Sequence, residues 1–184
     1  IDEYALRVSL TYRSSIATDH TTEEDSLAFP ATTTTTSIAT PQSLNLEFQT
    51  GLNQKTLLFG SVRWVEWSAF DLSPPAFVGT FGVPLVDYEN DTVTYSLGVG
   101  RKLSETLSMA VTLGYEATLG SDPSVLGPTD GNYSVGLGGT YALNDTTEIT
   151  AGLKYIWIGD ADGPNGDFYD NNAIAAGIKI SKTF

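Results

Sequence analysis

The chain has 184 residues, 18 of them glycine, with no cysteine, one methionine and a net charge of −13 from 22 acidic against nine basic residues. That balance argues against nucleic-acid partners, which need basic surface, and the missing cysteine removes a disulfide framework or a thiolate metal site. No run approaches the roughly 18 uninterrupted apolar residues of a membrane helix, so contact with a bilayer core would require a closed β-barrel.

Alternation of apolar and polar residues, the mark of a strand with two unlike faces, runs through most of the sequence. The start at Ile1, without Met or a signal peptide, reads as a processed amino end. The first strand is expected over residues 4–13, with Tyr4, Leu6, Val8, Leu10 and Tyr12 opposite Arg7, Ser9, Thr11 and Arg13. Residues 14–40 are polar and low in complexity, which predicts a long loop whose threonine run, Thr32 to Thr36, extends the following strand. Residues 42–52 alternate again and end in a short turn at 53–55. In residues 57–70 the parity slips between Val62 and Trp64 on one side and Phe59, Val65 and Trp67 on the other, which predicts a bulge near Gly60 or Glu66.

A second long loop, 71–91, is unusually apolar for its class and is expected to fold back over something. Strands follow at 93–103 and 107–117 around a tight turn, then at 133–143 and 148–158 around another, with a medium loop at 118–131 between the pairs. An acidic loop, 159–171, precedes the last alternating strand, 172–184, which ends on Phe184. A terminal Phe closing such a strand resembles the last strand of bacterial outer-membrane β-barrels. Eight strands therefore alternate long and short connections, which sorts long loops to one rim and tight turns to the other in an antiparallel up-and-down transmembrane barrel. Tyr and Trp placed towards strand ends on the apolar face suit the two membrane interfaces.

Residues 37–72, with Thr40-Pro41 opening one strand and Trp64, Trp67, Ser68 and Phe70 ending the next, resemble the FadL/TodX family of outer-membrane hydrophobic-substrate transporters. The opening residues 3–16 and the end at Phe184 are similar to the same family. The resemblance implies a fourteen-stranded barrel plugged by an amino-terminal hatch with an Asn-Pro-Ala motif. Eight strands and no such motif are present, so the chain corresponds to the carboxy-terminal part, and its partners would include the remaining amino-terminal strands. The implied function is passive diffusion of hydrophobic molecules such as long-chain fatty acids across the bacterial outer membrane, among lipid and lipopolysaccharide. A self-sufficient eight-stranded barrel with a structural or adhesion role is the alternative. Glycines such as Gly98, Gly100, Gly136 and Gly138 place no side chain in the interior and favour a wider barrel.

Among candidate ligand-binding residues, the inward-facing Arg7, Arg13 and Lys154 either steer a carboxylate or belong to a mutually paired, watery interior. Phe77 and Phe81 either form an external groove for a hydrophobic molecule or pack their loop on itself. Asp160, Asp162 and Asp167 are oxygen ligands at a spacing suited to Ca²⁺, yet the positions that would carry the Gly and Glu of an EF-hand loop hold Asn165 and Asn171; a hydrated acidic loop is the simpler reading. His20 is the sole histidine, so no catalytic constellation forms, and neither an enzyme nor a cofactor is expected.

Overall fold

The computed structural model describes residues 6–120, 129–163 and 166–183; the expectations for Tyr4, Asn165 and Phe184 lie outside them. The chain runs β1 (Arg7–Arg13), β2 (Ile16–Ser26), β3 (Phe29–Thr40), β4 (Ser43–Asn53), β5 (Thr56–Val65), a 3₁₀ turn (Trp67–Ala69), β6 (Asp71–Leu72), α1 (Pro75–Phe81), β7 (Val86–Asp87), β8 (Thr92–Lys102), β9 (Leu107–Glu116), β10 (Asn132–Asn144), β11 (Thr147–Ile158), β12 (Ala161–Gly163), β13 (Gly166–Phe168) and β14 (Asn172–Lys182). Eight of these form one antiparallel sheet in the order β1-β4-β5-β8-β9-β10-β11-β14. Neighbours in that order follow one another along the chain once the small hairpins are set aside, so the meander is up-and-down. Among the described residues β14 does not pair with β1, so the sheet is open and the closed eight-stranded alternative is not what the structure shows.

Directly opposed residues share a face, so the registers carry one apolar surface across all eight strands. Tyr12 faces Leu44, which faces Trp64. Val62 meets Tyr95, and Tyr95, Tyr115, Tyr133 and Trp157 then form a continuous row. Eight residues further along β10, Tyr141 lies beside Leu107 and Ile149 at the tight-turn end. That separation is roughly 27 Å along a strand and, at the usual barrel tilt, roughly 20 Å of height, close to an outer-membrane apolar band.

Among the described residues no second layer covers this face. Leu10 is 65% exposed, Leu113 55% and Ile178 78%. An exposed apolar surface of that extent in water would drive association; facing hydrocarbon it is at its preferred solvent. Tyr95 and Tyr115 stack at 6.2 Å between centroids, and Tyr115 approaches Tyr133 to 5.1 Å, an aromatic belt at the rim from which the long loops leave.

Three expectations are corrected. The segment 14–40 is not a loop: β2 and β3 form a separate two-stranded ribbon from Ile16 opposite Thr40 to Ser26 opposite Phe29. β-Branched threonines suit extended backbone and pair across it, with Thr22 donating to Thr36 at 2.8 Å. The parity slip is not a bulge near Gly60, because the β4–β5 register runs unbroken from Ser43–Val65 to Gly51–Leu57. Phe59 instead projects from the polar face, and the strand stops at Val65, where the chain turns into the 3₁₀ segment. Finally, the loop 71–91 contains the helix α1, begun by Pro75 and ended by Gly82 at φ 73°, whose N–H caps the Val78 carbonyl at 2.8 Å.

Gly98 and Gly136 do not leave the polar face empty, whereas an added Cβ at Gly100 or Gly138 would meet nothing nearer than 3.6 Å. A Cβ on Gly98 would lie 2.5 Å from the Phe59 ring, and one on Gly136 would meet the Thr112 hydroxyl, so side chains from neighbouring strands already occupy those spaces.

Candidate functional site

Polar residues alternate with the apolar face along each strand, which places Arg7 opposite Gln49, Arg13 opposite Ser43, and Lys154 between Gly136 and Ala175. The three do not converge. β1 and β11 are six strand spacings apart in the sheet, or about 29 Å along it at about 4.8 Å per strand. Among the described residues none of the three lies within ion-pair distance of a carboxylate; Lys102 and Glu105 pair at 2.8 Å at a tight turn. The interior is therefore not a self-neutralised network around these bases.

Arg7 lines a cleft of about 310 Å³ with Glu47, Gln49, Ser61 and the Phe59 ring. Its walls mix polar and apolar surface, and the arginine supplies a fixed positive charge with forked donors suited to a carboxylate. Towards the tight turns, a second cavity of about 640 Å³ is lined by Leu57, Phe59, Gly100, Ala110, Gly138 and Thr140. Its walls are mostly apolar, and Lys55 and Lys102 stand at its margin. Phe59 belongs to both spaces.

On the long-loop side, the ribbon and the helical loop are joined by Glu24. Its carboxylate accepts hydrogen bonds from Thr34 Oγ1 at 2.7 Å, from the Phe77 N–H at 2.9 Å and from the Ala76 N–H at 3.3 Å. Burial opposes the charge, but these donors outweigh it and hold the Glu24 carboxyl below the ordinary carboxylate range. The first turn of α1 is thereby fixed to β2. Phe77 and Phe81 pack at 4.7 Å, and Phe29 of the ribbon meets Phe81 edge-on at 6.4 Å. Phe81 is still half exposed. The loop packs partly on the ribbon and partly presents apolar surface outward.

Asp91, just before β8, gathers the end of the preceding strand. It accepts from Trp64 Nε1 at 2.9 Å, from Ser68 Oγ at 2.5 Å and from the Ser68 N–H at 3.2 Å. The rings of Trp67, Phe70 and Tyr88 cluster with centroids 5.4 to 5.8 Å from one another. The Trp-x-x-Trp-Ser-x-Phe spacing thus makes a rim clasp. Neither Glu24 nor Asp91 stands out in the sequence, because both depend on backbone donors brought close by folding.

In the acidic loop, β12 and β13 place Asp162 opposite Asp167. The Tyr169 hydroxyl donates to Asp162, and the Asp170 N–H donates to Asp160 at 3.0 Å. That hydrogen bond, together with burial and the charges of Asp162, Asp167 and Asp160, pushes the Tyr169 phenol up to about 12. Among the described residues no three acidic or histidine side chains converge on one point, so Asp160, Asp162 and Asp167 are not gathered as cation ligands.

With this geometry in hand, the comparisons with known proteins are consistent. The family model for outer membrane protein transport proteins (OMPP1/FadL/TodX) matches residues 3–177. A FadL homologue from Pseudomonas aeruginosa, known from a crystal structure, superposes with a TM-score of 0.64 at 16% identity, over 95% of this chain and 46% of that one. The CymD monoaromatic hydrocarbon channel superposes with a TM-score of 0.61 at 16% identity, over 97% and 47%. The chain thus spans about half the length of these solved structures. No curated protein is similar to it at a significant level.

Proposed function

Because this chain belongs to the OMPP1/FadL/TodX family of outer membrane transport proteins, we propose that it forms one side of a passive route for hydrophobic small molecules across the bacterial outer membrane. It is a protein of that membrane, in a family of transport proteins and not of enzymes. One observation carries the proposal. A single sheet presents an apolar face for lipid and, on its other face, two cavities along the strand direction, one of mixed polarity beside Arg7 and one mostly apolar.

Passage needs no energy source in this reading. A hydrophobic solute gains by leaving water for apolar walls, and the gradient does the rest. Closing the route requires strands beyond β1 and β14, supplied by sequence outside residues 1–184 or by another chain. Lipid and lipopolysaccharide surround the apolar belt. Within the class of substrates we place long-chain fatty acids first, with the acyl chain along the apolar cavity and the carboxylate at Arg7; monoaromatic hydrocarbons, the solutes named for CymD, are the second candidate.

The test is uptake by the complete protein in proteoliposomes, with a labelled long-chain fatty acid and a monoaromatic hydrocarbon as probes. Faster entry of at least one than in protein-free vesicles supports the route, and no acceleration of either overturns it. Arg7→Gln is expected to slow the fatty acid about tenfold and leave the hydrocarbon unchanged, since one charge-assisted contact is worth roughly that factor.

A further inference from the structure

We propose that Phe59 is the specificity-determining residue of the route, setting the cross-section of solute that passes from the cleft beside Arg7 to the apolar cavity. This rests on the reading of the polar face as the path. Among the described residues of the eight strands Phe59 is the one aromatic side chain on the polar face, which also carries Leu57, Val65, Ile156 and Ile158, and it lines both spaces.

Its place is set by a neighbour. The ring lies against Gly98, where an added Cβ would come within 2.5 Å of two ring carbons and 2.9 Å of Thr112 Cγ2, and it is 3.7 Å from the Cβ position of Gly100. Any side chain at Gly98 must push the ring away from the sheet. Gly98 therefore lowers the ring against the sheet, and the room left above it is what a solute uses. A fused-ring or caged hydrocarbon is wider than a straight alkyl chain, so the two differ in the room they need above the ring. The preference we infer is for unbranched alkyl and acyl chains over fused-ring or caged hydrocarbons.

The experiment compares the complete wild-type protein with Phe59→Ala, Phe59→Trp, Gly98→Ala and the double variant in proteoliposomes, using a straight-chain alkane and a caged hydrocarbon as probes. Phe59→Ala is expected to raise caged-probe entry about tenfold relative to the alkane, the scale on which one pocket methylene discriminates. Phe59→Trp and Gly98→Ala should lower that ratio, and the Gly98→Ala effect should vanish when Phe59 is already alanine. An unchanged ratio in both Phe59 variants overturns the proposal, whether or not Gly98→Ala folds. So does a Gly98→Ala effect that persists without the ring. Wild-type protein that passes neither probe overturns the transport reading itself, which is a different result from a wild type that passes the alkane with Phe59 variants of equal selectivity.

Discussion

Replacing Asp91 by alanine should unfasten the rim clasp while leaving the barrel wall intact. The carboxylate accepts three hydrogen bonds, from Trp64 Nε1, Ser68 Oγ and the Ser68 N–H. Bonds to a charged group contribute about 1.5–3 kcal/mol each when sheltered; at a partly exposed rim, screened and acting on one short turn, about 3 kcal/mol in total is a fair figure for the three. That corresponds to about a hundredfold rise in local opening. Hydrogen exchange reads it directly. The reporters are the amides of Ala69 and Phe70, which bond to Glu66 at 3.3 Å and Trp67 at 2.9 Å, and whose protection follows the opening free energy of this segment. Ser68→Ala, which removes one donor, should lower the protection by a factor approaching ten. The Asp91 carboxyl is held below its ordinary range, chiefly by the Ser68 hydroxyl and against some burial. Its contribution is therefore complete above the ordinary carboxylate value, near 4, and is lost as pH falls through the lowered one. Protection at Ala69 and Phe70 that changes less than about threefold in Asp91→Ala would refute the clasp, because even one such bond is worth more.

Three other outcomes follow from the same contacts. Glu24→Ala should speed exchange at Ala76 and Phe77 without altering β4 or β5, and in the wild type that protection should persist at neutral pH and fade only in acid below the ordinary carboxylate range, since the Glu24 carboxyl is lowered; pH-resolved hydrogen exchange checks both. Asp162→Asn should bring the Tyr169 phenol from about 12 back towards the ordinary value near 10, read as the difference between ultraviolet titrations with and without Tyr169→Phe. Gly60→Leu should lower folding yield in lipid, because the new Cβ would sit 2.6 Å from the Ser96 carbonyl oxygen and 2.8 Å from the Phe48 ring; overpacking of that kind costs about 1–3 kcal/mol, measured as the folded fraction against urea.

The wall of the barrel is legible in the sequence because its physics is local. A strand between lipid and a polar interior must alternate, and residues such as Leu107, Met109, Val111, Leu113 and Tyr115 announce that without help from the rest of the chain. The rim is less legible, since its signals are ambiguous until partners are in place. The threonine run at Thr32–Thr36 has strand propensity but no alternation, and only pairing with β2 turns it into a ribbon. Pro75 and Gly82 bracket a helix with the usual end signals, yet seven residues of Ala, Phe, Val, Gly and Thr are too short and too weak in propensity to read as one. Phe59 misleads for the opposite reason. Period-two reasoning treats a misplaced aromatic as a shift of the backbone, and here the backbone keeps its register while the side chain takes the unexpected face.

The net charge acquires its meaning only from this layout. The four long connections, residues 14–42, 66–91, 117–131 and 159–171, hold four, five, two and four acidic residues, and none of the nine lysines and arginines falls in them. Arg101 and Lys182, the basic residues on the apolar face, stand at the tight-turn ends of β8 and β14, where long stems reach past the hydrocarbon to water. A carboxylate within the apolar band would be stripped of solvent at a cost of several kcal/mol, and among the described residues none is found there. Acidity that first reads as evidence about partners is thus the consequence of a two-sided membrane wall. Carboxylates collect where water is, and two of them, Glu24 and Asp91, are used to fasten the long-loop rim.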